Sequence, residues 1–289
     1  MIGVAIVAVA IAAMAVASYT DIRIREVSNW LSFGLIFALL GMKAFEAFYY
    51  SDMSILWSSL AFGGLFLGLG LLFFYSGQWG GADVKLLCAM GVGFSTVPRG
   101  FAPLYSSVWP YSFTLIFNFF LVAVLYAMGY AAVLAVTTPK VGRDFRASVN
   151  RYEVLAGALA IVALFGLSSL YPIMLWLAAV PVLWFLSKFL RSVEANCMTR
   201  KIKASELREF DIPKVNIVLD GEVLVNSKDP NGMTPEQIRK VQRLVKKGTL
   251  PKKLEVKWGI PLIPVYPIAI LVSVFIGDLL FAVITRFLI

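Results

Sequence analysis

Apolar residues dominate the runs Ile2 to Thr20, Asn29 to Phe48, Ile55 to Tyr75, Ala82 to Val97 and Trp109 to Val136. Their lengths lie near the roughly twenty residues that a bilayer's hydrocarbon core demands, so each predicts a membrane-spanning helix. The run from Glu153 to Leu190 is too long for one crossing. As a single helix it would extend about 57 Å, against a core of about 30 Å. Turn-forming residues at 166–172 (GLSSLYP) predict that it folds back as a hairpin of two spans. A last run from Ile260 to Leu288 brings the expected total to eight, within a range of six to eight. The first run lacks a basic n-region and is expected to be retained as a helix rather than cleaved as a signal peptide.

The pattern changes between Arg191 and Trp258, where polar residues prevail. The segment KVNIVLDGEVLV (214–225) predicts two short strands around Asp220 and Gly221, a dipeptide suited to a hairpin turn. Thr234, Pro235 and Gln237 then form a helix-start signature of N-cap, proline at the first turn and capping-box partner. Ile238, Val241, Leu244 and Val245 follow on one face, and Gly248 is the stop. The expected fold class is therefore an all-α polytopic membrane protein with a small α+β cytoplasmic domain before the last helix. The expected divisions are 1–190, a transmembrane helical domain; 191–258, a basic α+β domain; and 259–289, the final span.

Composition agrees: 60% hydrophobic residues and 22 Phe exceed what one soluble core accommodates. Charge then orients the chain. Arg23 and Arg25, the group Lys140, Arg143, Arg146 and Arg151, and the segment 191–258 are rich in cations, whereas Tyr49 to Ser54 has none. The positive-inside rule places the three basic regions in the cytoplasm and the N-terminus outside. Eight crossings satisfy that parity, and a single crossing at 153–190 would export the most basic segment. That segment holds 15 of the 26 basic residues against 9 acidic ones. Membrane lipids are thus an expected partner, although retention on the inside explains the charge equally well. No motif points to nucleic acid.

The chain has no histidine, which removes Ser-His and Cys-His catalysis and H-E-x-x-H metal sites. Cys88 and Cys197 lack metal-ligand spacing and read as packing residues. No Ser and Lys stand out together for a Ser-Lys mechanism. Two carboxylates do stand out: Asp21, at the end of the first span, and Asp83, at the start of the fourth. With the predicted orientation both lie at the cytoplasmic edge, and carboxylates at membrane helices are costly enough to suggest function. An aspartyl pair hydrolyses peptides when one member is ionised to activate water and the other protonated to polarise the carbonyl; two close like charges favour that state. The helix macrodipole suggests Asp83 as base and Asp21 as acid. Gly80, Gly81 and Ala82 leave little side-chain bulk beside Asp83, which suits close approach of a substrate backbone and equally suits a tight loop. Lys85 is expected to snorkel towards the interface, and Asp278 to pair with a polar neighbour inside the last span. The alternative is a proton- or cation-coupled transporter using the same carboxylates, with a silent scaffold as a third class. No repeated half and no pair of interrupted midplane helices supports transport.

The two patches resemble a known family. WGGADVKLL (79–87) resembles the GxGD signature of type IV prepilin and archaeal preflagellin peptidases. DIRIREVSN (21–29) resembles that family's D-x-x-x-R-x-I-P-N patch. Ala82 replaces the second glycine, Val27 an isoleucine and Ser28 a proline. GIPLIP (259–264) resembles the G-I-P-F-x-P lead into the last span of archaeal members. The resemblance implies an intramembrane aspartic endopeptidase that removes a short basic leader from archaellin or type IV pilin-like precursors carrying a class III signal peptide, at the cytoplasmic membrane face. It implies Asp21 and Asp83 as catalytic residues, Gly80, Gly81, Ala82, Arg25 and Asn29 as substrate-binding residues, and no metal or organic cofactor. With two cysteines and no N-terminal cysteine tetrad, the likeness is to the archaeal branch, which cleaves without methylating.

Overall fold

The computed structural model describes every residue except 107, 108, 168–176, 178, 210, 220, 221, 228, 230, 231, 280 and 283–289. The chain is mostly helical and divides into two compact units, residues 1–127 with 261–289, and residues 128–260.

The first unit contains α1 (Ile2–Ile24), α2 (Asn29–Tyr49), α3 (Ser54–Tyr75), α4 (Gly81–Gly93) and the first half of α5 (Tyr111–Thr137). Helix α10 (Val265–Phe275) completes it. Helices α1, α2, α3 and α5 are long and apolar enough to cross a bilayer. Their exposed Trp30, Phe37, Trp57, Leu72 and Phe117 suit lipid contact, because only outward-facing apolar groups are stable in hydrocarbon. Helix α4 is the centre of the unit, with Val84 and every residue from Leu86 to Gly93 buried.

Glycines let α3 and α4 approach closely. A Cβ on Gly91 would stand 2.5 Å from the Phe62 carbonyl oxygen, and one on Gly70 would stand 3.1 Å from the Val84 backbone. Small residues serve this purpose between membrane helices, where dispersion contacts replace the hydrophobic drive. Around α4 the core gathers Ile6 and Met14 of α1, Leu39 of α2, Phe66 of α3, Phe119 of α5 and Tyr266 of α10.

At the end of α2 far from Asn29, a charge cluster is buried. Lys43 Nζ lies 2.9 Å from Glu46 Oε2, with side chains 1% and 2% exposed, and Arg99 Nε lies 3.7 Å from Glu46 Oε1. The Arg99 guanidinium stacks 3.8 Å from the Tyr50 ring centre. Charges removed from water persist only when paired in this way.

The last span differs from the expected continuous run of Ile260 to Leu288. Helix α10 starts at Val265 and stops after Phe275; Gly277 follows with φ +89°. The break is imposed from outside the segment. Tyr105 N–H donates to the Ile276 carbonyl at 2.9 Å, and any Cβ at 277 would lie 2.1 Å from the Tyr105 carbonyl oxygen. Asn118 compensates the freed backbone groups. Its Nδ2 donates to the Gly277 carbonyl at 2.6 Å and to Ser273 Oγ at 2.9 Å, and its Oδ1 accepts from Leu279 N–H at 3.3 Å. Asp278 is thus a cap after the break, accepting Phe281 N–H at 3.0 Å, rather than a residue inside an unbroken helix. The expected end of the span, 283–289, lies outside the described residues.

The second unit contains the remainder of α5, then α6 (Pro139–Ser148), α7 (Arg151–Leu167), α8 (Ala179–Cys197), β1 (Thr199–Lys203), β2 (Ile217–Leu219), β3 (Glu222–Val225), α9 (Pro235–Lys246) and β4 (Lys253–Lys257). The basic loop expected after α5 is in fact helix α6, bent 80° from α7. Most of the predicted hairpin turn at 166–172 lies outside the described residues.

In the polar segment, β1 pairs antiparallel with β4, Thr199 opposite Lys257 and Lys203 opposite Lys253. The predicted strands pair as β2 and β3, Ile217 opposite Val225, while their turn residues 220 and 221 lie outside the described residues. Helix α9 begins as its sequence predicts. Thr234 N–H donates to Gln237 Oε1 at 2.9 Å, and Gln237 N–H donates to Thr234 Oγ1 at 3.3 Å. Ile238 and Val241 pack with Ile202, Ile217, Val225, Leu254 and Val256 into a separate small core.

Candidate active site

Asp21 lies in the last turn of α1 and is 9% exposed. The helix ends four residues later at Arg25, whose left-handed conformation (φ 59°, ψ 26°) aims its N–H at the Asp21 carbonyl, 3.0 Å away. Such a conformation is uncommon for a side chain with a Cβ, and it closes the helix abruptly. The charge of Arg25 acts on the Asp21 carboxylate.

Asp83 occupies the first turn of α4. Gly80 is the N-cap, and its N–H donates to Asp83 Oδ2 at 3.0 Å, satisfying one donor at the helix start. Asp83 Oδ1 is buried with no hydrogen-bond partner among the described residues. An unsatisfied buried oxygen is rare enough to mark a site of strain or chemistry.

The first turn of α10 and its lead-in join the two aspartates. Ile263 N–H donates to Asp21 Oδ2 at 3.3 Å, and Tyr266 Oη donates to the Asp83 main-chain carbonyl at 2.9 Å. Tyr266 is fully buried, and its ring packs on Phe119 with centroids 4.7 Å apart. Asp83 lies within electrostatic reach of Asp21, and Tyr266 lies within reach of both. The structure therefore brings together two carboxylates 62 positions apart in the sequence by way of residues near its other end.

Each of the other predicted site residues has a definite place. Gly80 and Gly81 are exposed and Ala82 is half-buried beside Asp83. A Cβ on Gly81 would meet nothing nearer than Phe74 at 4.0 Å, so the space beside this glycine is open. Asn29 is exposed at the start of α2, and its Oδ1 accepts a short hydrogen bond from Lys85 Nζ. Lys85 is thus engaged with Asn29 and with the Phe33 ring, 5.1 Å from its ammonium, instead of simply reaching for the interface.

Tyr266 and the Ile263 N–H were not singled out from sequence. The available signal was a polar-tipped aromatic in an apolar helix, because a buried phenol needs a hydrogen-bond acceptor. Among the described residues no three His, Cys, Asp or Glu side chains gather to hold a metal ion.

Comparison with known proteins bears on this site. The model of the type IV leader peptidase family matches residues 8–136, a segment that contains both aspartates and their flanking helices. No curated protein and no solved structure matches the chain. The apolar helices make this a multi-pass membrane protein. Through the segment that carries Asp21 and Asp83, the chain is similar to the type IV leader peptidase family.

Proposed function

We propose that this protein is an intramembrane aspartic endopeptidase that removes the short basic leader from archaellin or type IV pilin-like precursors at the cytoplasmic membrane face. The observation that carries the reading is the joining of Asp21 and Asp83 through Ile263, in the lead-in to α10, and Tyr266, in its first turn. Asp21 and Asp83 act as a unit holding one proton between them: the ionised carboxylate activates water and the protonated one polarises the scissile carbonyl. The open side of Gly80, Gly81 and Ala82 receives the extended substrate backbone, with Arg25 and Asn29 at its margin. The N-terminus is outside, eight spans cross the membrane, residues 1–190 and 259–289 are membrane domain, and 191–258 form the cytoplasmic domain. A bond just cytoplasmic of a precursor's own apolar helix then meets the pair at its own depth.

The test is cleavage of a pilin-like precursor with a Lys/Arg-Gly leader by membranes holding wild type, Asp21→Asn or Asp83→Asn, with N-terminal sequencing of the product. Both folded variants are expected to lose correctly placed cleavage. Normal cleavage by either would remove the aspartyl reading and favour transport or a scaffold role.

A further inference from the structure

Helix α6 presents a separate feature that does not depend on the aspartates. Thr138 alone joins it to α5, and Val149 and Asn150 join it to α7. Leads this short hold α6 at the ends of two apolar helices. Its axis is bent 80° from that of α7, so an α7 that crosses the bilayer would leave α6 along the membrane plane.

One side of α6 is fully used. Val141 is buried against Ala131 and Val193, and Phe145 meets Phe189 edge to face at 5.7 Å. Ser192 Oγ donates to the Val141 carbonyl at 2.9 Å, and Asn196 Nδ2 donates to Asp144 Oδ2 at 2.7 Å. Lys140, Arg143 and Arg146, spaced three apart, are left exposed. Of the acids on α6, α7 and the adjoining part of α8, Asp144 is held by Asn196 and Glu153 by Lys188, which leaves Glu194.

Exposed aromatic residues mark the same level. Tyr152 carries the Arg151 guanidinium 5.2 Å from its ring centre, and Trp184 carries the Lys188 ammonium at 5.5 Å. Lys188 also donates to the Ser148 carbonyl at 2.9 Å, which ties the Trp184 turn of α8 to the end of α6 and the start of α7. Beyond them the exposed side chains turn apolar: Leu155, Leu159 and Val162 on α7, Val180 and Leu183 on α8. Tyr and Trp at the edge of an apolar band, with cations just beyond, are the signature of headgroup depth.

We propose that the exposed face of α6, with Arg151, binds the headgroups of anionic phospholipids and anchors this unit at the bilayer surface. Charge complementarity and the short leads to α5 and α7 select lipid as the occupant, since a surface held at headgroup depth meets lipid before any soluble partner. Near an anionic surface each cation contributes attraction that salt screens.

The test uses the full chain, purified and offered equimolar phosphatidylglycerol and phosphatidylcholine, with retained lipids counted by native mass spectrometry. Wild type is expected to prefer phosphatidylglycerol, and K140Q/R143Q/R146Q to lose about tenfold of that preference. The conservative Lys140→Arg is expected to keep it, as is K240Q/R243Q/K247Q, which removes three cations from α9 and its end. Cysteine accessibility checks that the triple variant keeps its insertion direction; should it fail to fold, Arg143→Gln alone and loss of the wild-type preference in high salt carry the same test. Unchanged preference in the α6 variant, the outcome if these cations serve an acidic protein segment, would overturn the proposal. Equal loss in both triple variants would also overturn it, because attraction would then follow net charge and not α6.

Discussion

The hydroxyl of Tyr266 donates a hydrogen bond to the main-chain carbonyl of Asp83 at 2.9 Å, inside the first turn of α4. One turn earlier in the chain, Ile263 N–H holds Asp21. The separation of the two carboxylates is therefore linked to the seating of α10, and Tyr266→Phe removes one of these ties while leaving the ring packed on Phe119. A net hydrogen bond is worth about 1 kcal/mol, which corresponds to roughly a fivefold change in rate. Tyr266→Phe is expected to lower kcat for precursor cleavage by about that factor with KM nearly unchanged. Steady-state kinetics in membranes check it; a change in KM alone would mean that the hydroxyl serves substrate binding instead.

Gly81 and Gly91 lie in one helix yet respond differently to a methyl group. At Gly91 the new Cβ would stand 2.5 Å from the Phe62 carbonyl, so α3 and α4 must separate. Gly91→Ala is expected to destabilise the protein by about 1–3 kcal/mol, read as a lowered Tm in detergent.

At Gly81 the Cβ meets only ordinary contact, so Gly81→Ala leaves Tm within the small range of an exposed substitution, about 0.5 kcal/mol. If the substrate backbone passes here, Gly81→Val raises KM in the cleavage assay. An unchanged KM for that bulkier variant would move the substrate path elsewhere.

The buried Lys43–Glu46 pair sets a different expectation. Replacing one partner, as in Lys43→Met, leaves Glu46 with only Arg99 at 3.7 Å and is expected to cost about 3–5 kcal/mol. Replacing both, as in K43M/E46M, recovers much of that loss, because no charge is then stranded by the exchange. Thermal unfolding of the three proteins gives the answer; equal losses in single and double variants would show that packing, not charge, governs this site.

Glu255 supplies a pH dependence in the small α+β core. Hydrogen bonds from Lys214 and Lys201 hold its carboxyl below the usual glutamate value. A depressed folded value makes the contribution present above the unfolded value, about 4.3, and lost as pH falls through the folded one. Glu255→Gln is therefore expected to flatten the acid limb of the stability curve while changing little at neutral pH, since the three side chains are exposed. Circular dichroism melts across that range test it.

The chain order of polar and apolar residues was sufficient for α1, α2, α3 and α5, because spanning a bilayer depends on the summed hydropathy of contiguous residues. The start of α9 was equally legible, since Thr234, Pro235 and Gln237 satisfy the helix end among themselves. The two aspartates stood out for a related reason: a carboxylate next to an apolar run is conspicuous without any knowledge of its partner. What joins them was not visible. The Tyr266 bond to Asp83 spans 183 positions and the Ile263 bond to Asp21 spans 242. Likewise the break after Phe275 follows from the Tyr105 carbonyl and Asn118, and the straight helix expected there was locally sound. Hydropathy and capping are properties of neighbours along the chain and so belong to the sequence alone. The meeting of Asp21, Asp83 and Tyr266, and the end of α10, belong to the tertiary structure, because each depends on which distant backbone groups packing brings within hydrogen-bond reach.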